Sequence, residues 1–474
     1  MPTSHQAPHQ VPNQTPDQTP HQTEMVHALQ ELLQIKSVKS DPEPNAPFGA
    51  GINNALEYAL KIGEALGFKT KNIDGYAGYI EFGSGKEMLG ILCHLDVVPE
   101  GDQWTHPPYD AVISDGKLYG RGAYDDKGPA IASLFAMKAL KDAGYQPNKR
   151  VRLILGTDEE SGSHCMAYYL KHEEVPSVGF SPDADFPVIH GEMGILGVTL
   201  TSDFTDRLPD GGIRVLRVTG GKAPNMVPDY AEALLEETTP IEDIVRAFSA
   251  SRDATVTYER EEGNRVRLRA YGKSAHGSTP SQGINAIAHL ISLLDLIDIE
   301  IGDQSGFIRF IANKIGTETD GRSLGIASED AFNALVLNMG LIDIDEQHGS
   351  VTLNIRYPIT EKEKKFKTAI DSAVRGTVLH IDQWRNAPPL FFKTDHPLIK
   401  TLMRVYAEKT GDTTAKPITI GGGTYARAIP NAVAFGALFP GAEDTMHQKD
   451  EYIALDDLFK ISEIYEAAIR ALTE

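Results

Sequence analysis

Cysteine is nearly absent: Cys93 and Cys165 are the only two in 474 residues. Two thiols can build neither a disulfide framework nor a cysteine zinc site, and their scarcity suits a reducing compartment, so a cytoplasmic location is expected. The chain has no run of 18 apolar residues, which excludes a membrane-spanning helix. It has no basic excess either. Asp and Glu number 66 against 45 Lys and Arg, a formal net charge of −21 that argues against nucleic acid or an anionic membrane as partner. Nor does a basic stretch followed by an apolar core open the chain, so no secretory leader is expected. The hydrophobic fraction of 41% is ordinary for a globular protein. The length exceeds the roughly 250–300 residues at which single cores stop growing, so more than one folded unit is expected.

Residues 5–22 repeat every four positions (HQAP, HQVP, NQTP, DQTP, HQ) and hold no large apolar residue except Val11. Such a segment cannot bury a core, so residues 1–22 are expected to form a disordered, partly polyproline-II tail. His5, His9 and His21 could bind metal weakly, but a solvated extension accounts for them. Beyond the tail, Val26, Leu29, Leu32 and Leu33 give one apolar face of a first helix, with Thr23 as its N-cap. A second helix should run from about Asn53 to Leu66 and stop at Gly67.

The chemistry-bearing residues fall at the ends of apolar runs. The run from Met88 to Cys93 is apolar enough for a central strand covered on both faces, and it ends in His94-Leu95-Asp96. In an extended strand His94 and Asp96 project to the same side, although such a pair can also be purely structural. Gly120-Arg121-Gly122-Ala123-Tyr124-Asp125-Asp126-Lys127-Gly128-Pro129 sets two carboxylates before a helix expected over about 130–143; alone they could simply complement its dipole. The strand Val151–Leu155 leads into Asp158-Glu159-Glu160, three acids that repel one another unless a cation or proton is shared. The strand end Val178–Phe180 leads into Asp183 and Asp185. Asp444-Thr445-Met446-His447-Gln448-Lys449-Asp450-Glu451 precedes a C-terminal helix expected over about Leu455–Leu472.

From about Gly191 the texture changes to many strand-like runs, among them Val351–Ile355, and helical ones, among them Ala286–Ile297, Ser328–Asn338 and Glu361–Ala373. The expected organisation is a catalytic domain over 23–190 and 381–474 interrupted by an inserted domain over 191–380. Taken together, His94, Asp125, Glu160, Asp183 and His447 offer nitrogen and oxygen without thiolate, which suits Zn²⁺, Mn²⁺ or Co²⁺. Five such groups exceed the needs of one tetrahedral ion, so a bridging carboxylate between two ions is expected.

HLDVVP, GRGAYDDKG, GTDEESG, SPDADFP, KSAHGS and MHQKDE, in this order and spacing, resemble the co-catalytic di-metal peptidases that include carnosinase, carboxypeptidase G and succinyl-diaminopimelate desuccinylase. APNMVP and LNIRYP point within them to the bacterial PepV-type dipeptidases, and the resemblance spans about residues 25–474. It implies an α/β fold, an aminopeptidase-like mixed sheet with flanking helices plus an inserted α+β lid domain. It implies two divalent ions, Zn²⁺ first with Mn²⁺ or Co²⁺ as alternatives. Asp125 would bridge them through a cis Asp125–Asp126 peptide; His94 and Asp183 would complete one site, Glu160 and His447 the other, with Asp185 the rival of Asp183. Asp96 would orient His94, and Glu159 would be the general base. His276 would stabilise the oxyanion, and Arg356 with the amides of 421–424, hence Gly422, Gly423 and Thr424, would hold the substrate's carboxylate. Asn225 is a further candidate for substrate contact. The implied activity is hydrolysis of dipeptides with a free N-terminus by a metal-bridged hydroxide. Alternatives are an N-acyl-amino-acid deacylase or desuccinylase, and more remotely an inactive metal-stabilised binding protein. The long insert implies a monomer carrying its own lid, with a homodimer as the alternative.

Overall fold

The computed structural model describes residues 18–206, 212–297 and 299–474. Most of the expected tail therefore lies outside the described residues. The first helix, α1 (Pro20–Leu33), begins three residues before the expected Thr23 cap. Thr19-Pro20-His21-Gln22 is a better start: the Thr19 hydroxyl accepts from the Gln22 amide, the Gln22 side chain accepts from the Thr19 amide, and Pro20 needs no partner for a missing N–H. No described helix is long and apolar enough to cross a membrane.

Two compact units divide the chain. The first comprises residues 1–190, 392–418 and 424–474, and the second residues 191–391 and 419–423. In the first, α2 (Ala50–Ala65) ends as read, with Gly67 in the left-handed region at φ 76°. The strands β1 (Lys69–Ile73), β2 (Ala77–Phe82), β3 (Met88–His94), β4 (Val112–Ser114), β5 (Lys117–Tyr119), β6 (Arg150–Gly156) and β7 (Val178–Ser181) follow. The main sheet runs β1-β2-β6-β3-β7 and continues to the strand Ala432–Ala434. β1, β2 and β6 pair antiparallel, whereas β6, β3, β7 and 432–434 run parallel. All seven residues of β3 are buried, which is why its sequence shows no alternation.

Helix α3 (Lys127–Asp142) and the C-terminal helix Leu455–Thr473 pack into the same core as Leu89, Ile91, Leu153 and Phe180. The Ser462 hydroxyl donates to Ala132 O, and the Tyr465 hydroxyl to Phe435 O, so both find partners inside that core.

The second unit is α+β. Its eight-stranded antiparallel sheet has the order 255–260, 265–271, 230–236, 214–220, 336–344, 348–357, 194–203, 380–387. The helices Ala286–Leu296 and Asp303–Lys314 contribute Ile287, Leu290, Phe307 and Ile311 to its core. The helix expected over Ser328–Asn338 is not formed. Asp330 Oδ1 accepts from the amides of Phe332 and Asn333, a local turn that competes with helix, and the chain then enters the strand Val336–Ile344.

Candidate metal centre

The parallel register aligns β3 with β6 so that His94 lies beside Gly156, and both strands end there with β7 as the other neighbour of β3. The C-terminal ends of three adjacent parallel strands thus carry His94 and Asp96, Glu159 and Glu160, and Asp183, the edge at which open α/β sheets place their sites. Asp125 arrives from the turn before α3, and its peptide bond to Asp126 is cis, as the resemblance implied. His447 comes from the segment before the C-terminal helix.

Side-chain geometry brings all five expected ligands together within the first unit. Asp125 stands in the middle: Oδ1 lies 2.9 Å from His94 Nε2, and Oδ2 lies 2.9 Å from His447 Nε2. His447 Nε2 is also 3.1 Å from Glu160 Oε1, and His94 Nε2 is 3.8 Å from Asp183 Oδ2. Ligand atoms of His94, Asp125 and Glu160, and likewise of His94, Glu159 and Asp183, lie within 4.8 Å of one another. Asp185 sits instead on the two-residue strand Ala184–Asp185, with Asp444 as its charged neighbour.

These residues fit a cation. His94 Nδ1 faces the main-chain oxygen of Asp96 at 2.9 Å and must donate to it, which leaves Nε2 with a lone pair when the ring is neutral. Nε2 points at Asp125 Oδ1, and among the described residues neither of these buried atoms has a hydrogen-bond partner of good geometry. Two electron-rich atoms at that distance require a proton or a metal ion between them. Protonation equilibria express the same demand. Burial raises the Glu159 carboxyl well above its usual range, and the charge of Asp183 adds to it. Burial likewise pushes Asp183 up to about 6, with Asp125 and Glu160 adding repulsion. Burial opposes the imidazolium forms of His94 and His447, yet the carboxylates around them outweigh it and raise both. Positive charge at the centre would relieve all four.

The supporting contacts differ in one respect from expectation. The Asp96 carboxylate lies 3.6 Å from His94 Nδ1, too far for a hydrogen bond. It accepts instead from the amides of Glu159 (3.0 Å) and Glu160 (3.1 Å), so Asp96 orients the imidazole through its carbonyl and the acidic loop through its side chain. Asp126 had no assigned role; buried, its Oδ2 accepts from the His94 amide at 3.1 Å. A Cβ at Gly156 would meet the Tyr425 hydroxyl at 2.3 Å, so only glycine admits the ring that stands edge-on to His94. Neither Asp126 nor Tyr425 is visible as a site residue in the sequence, because no local pattern connects them to His94.

The expected substrate residues lie mostly in the second unit, where four of them are neighbours. Asn225 O accepts from the Gly277 amide at 2.6 Å, Met226 forms a bridge with His276, and His276 Nδ1 is 2.6 Å from the Ser278 hydroxyl. Gly421 approaches Ser278 closely, and its carbonyl accepts from Arg356 Nη1 at 3.0 Å. Arg356 is buried, and its Nε donates to Asn354 Oδ1. Gly422 and Gly423 continue this segment. Thr424 begins the returning part of the first unit and caps the short helix Tyr425–Ala428 by accepting from the Ala426 amide.

Comparison with known proteins shows the family of the chain. Residues 90–471 match the model of peptidase family M20/M25/M40. The Bacillus subtilis protein named "Putative dipeptidase YtjP" is 40% identical over 461 residues, covering 95% of this chain and 97% of its own. A Staphylococcus epidermidis protein named "Putative dipeptidase" is 37% identical over 459 residues with the same coverage. Human carnosine dipeptidase 1 has the same fold, with a TM-score of 0.58 at 15% identity over 96% of both chains. By both the family match and these relatives, the chain belongs to peptidase family M20/M25/M40.

Proposed function

We propose that this chain is a metal-dependent dipeptidase that hydrolyses dipeptides with a free N-terminus. The observation that carries this reading is the position of Asp125, whose two oxygens each face a histidine flanked by a further carboxylate. His94 and Asp183 would hold one divalent ion, Glu160 and His447 the other, with Asp125 shared, and Zn²⁺, Mn²⁺ or Co²⁺ suits such donors. When bound, two such ions supply an activated water and polarise the scissile carbonyl.

The protein's own groups do the rest. Glu159 holds a proton readily in its half-buried, acid-crowded position, as a group must that takes one from water and returns it to the leaving amine. Asp96 keeps Glu159 and Glu160 in place through their amides. By the resemblance, His276 would supply a donor to the oxyanion, a contribution worth about 2.7–4 kcal/mol in comparable sites. Arg356 and the 421–424 segment grip the substrate's C-terminal carboxylate, which a guanidinium fork matches. The names of the relatives support dipeptides over longer peptides.

The test is to strip the protein with a chelator, restore Zn²⁺, Mn²⁺ or Co²⁺ separately, and assay L,L-, β-alanyl-, D-containing and N-acetylated dipeptides. Metal-restored cleavage of free-amine dipeptides is the expected result. Cleavage of N-blocked substrates alone would make the protein a deacylase, and no metal dependence would refute the centre itself.

A further inference from the structure

We propose that Glu451 is a positioning residue of the metal centre: its carboxylate fixes the turn that aims Asp125 and ties that turn to the segment carrying His447. Glu451 is fully buried. Its Oε1 accepts from the amides of Tyr124 (2.9 Å) and Asp125 (3.2 Å), and its Oε2 from the Gly122 amide (3.0 Å) and Arg121 Nη1 (2.7 Å). Its main-chain oxygen accepts from the Gly120 amide at 2.9 Å. Three backbone amides of one turn converge on a single side chain, an anion-binding concavity of which the protein itself supplies the anion.

Antiparallel pairing delivers that anion. The strand Tyr452–Ala454 pairs with β5, Tyr452 opposite Tyr119, which sets Glu451 beside Gly120. Four residues earlier on the same segment, His447 meets Asp125 Oδ2. One segment therefore grips the backbone of Asp125 and faces its carboxylate, so whatever holds Asp125 to His447 also holds Glu451 in its nest. A mere ion pair with Arg121 would explain one of these contacts and none of the amide bonds. Glutamine would turn an amide NH₂ towards backbone N–H groups, setting donor against donor.

This inference rests on the proposed metal centre, and the experiment separates the two. The chelator-stripped full-length protein and Glu451→Gln are titrated with Zn²⁺ against a chromophoric chelator, and the visible spectrum of the Co²⁺ form is recorded for each. The Glu451→Gln protein is expected to fold, to bind Zn²⁺ about 10–100-fold more weakly, as when other outer partners of ligands are removed, and to show an altered Co²⁺ spectrum. A folded variant with unchanged affinity and spectrum would overturn the proposal. A wild-type protein that binds no divalent ion would instead overturn the centre. Should Glu451→Gln unfold because Arg121 is left unpaired, the double variant Arg121→Met, Glu451→Met removes both buried charges together and is read by the same criteria.

Discussion

Replacing Asp96 by Asn separates two tasks that one residue performs. The imidazole of His94 is held by the Asp96 carbonyl, which any substitution retains. The acidic loop is held by the carboxylate, with one oxygen on each of the Glu159 and Glu160 amides. Asn keeps an oxygen for one amide and presents an NH₂ group to the other. One charge-assisted bond, worth about 1.5–3 kcal/mol, is lost outright and the second becomes a weaker neutral one. At about 1.4 kcal/mol per tenfold, the loss corresponds to about a 10–100-fold larger population of the opened loop. Hydrogen–deuterium exchange of a peptide spanning 157–163 reads this directly, and the imidazole nitrogen resonances of His94 report its tautomer. The expected result is lost protection at Glu159 and Glu160, reduced turnover and an unchanged His94 tautomer. Unchanged protection with an altered tautomer would refute the reasoning and give the carboxylate the histidine-orienting role instead.

Glu159→Gln should retain both metal ions by elemental analysis yet lose about 10²–10⁴-fold in turnover, the usual contribution of a positioned proton carrier. Lys127 is fully buried, and burial lowers its amine to about 7; as a neutral amine it has the two N–H bonds needed for Leu32 O and Ile35 O. Between about pH 7 and the unfolded value of about 10.4 the unfolded chain binds the extra proton, so this residue's contribution to stability grows as pH rises. The difference in urea resistance between the wild type and Lys127→Met should therefore increase across that window; a flat difference would mean that the amine remains charged. A chain beginning at Thr23 lacks the Thr19–Gln22 capping box present in one beginning at Gln18. It should be less stable by about 0.5–2 kcal/mol, read as a fall of a few degrees in melting temperature.

Much of the candidate centre was legible because each expected ligand closes or follows a local pattern. β3 declares itself by an unbroken apolar run, and a histidine at its end must meet whatever ends its neighbours. Asp125 stands in a glycine-rich turn before a helix, and the cis peptide followed from the resemblance. Tertiary supports were not legible. Whether Asp96 acts through its carbonyl or its carboxylate depends on a separation of 2.9 against 3.6 Å, which no sequence pattern encodes. Ser328–Asn338 reads as a helix by its apolar spacing, yet Asp330 captures the amides of Phe332 and Asn333 and the chain turns. The start of α1 was misplaced because Gln22 looked like part of the repeat rather than the return arm of a capping box.

The last expected ligand raises a separate physical question, since His447 lies 322 residues beyond Asp125 and 287 beyond Glu160 in the chain and at a positive φ of 62°. Three attachments fix its segment. Asp450 Oδ1 accepts from the amides of Thr105 (2.6 Å) and His106 (3.1 Å), Glu451 fills the turn at 122–125, and Tyr452–Ala454 pairs with β5. A left-handed conformation at a non-glycine residue persists only where its surroundings over-determine it, and these attachments do so. The imidazole is consequently in place before any ion arrives, so binding need not meet the entropy of closing so long a loop. The same logic covers Asp125, whose backbone is gripped by Glu451, and Glu160, whose amide is gripped by Asp96. His94, Asp125 and Glu160 are thus each held by a bond from the main-chain amide to a neighbouring carboxylate, which leaves the side-chain atoms that face one another for a cation.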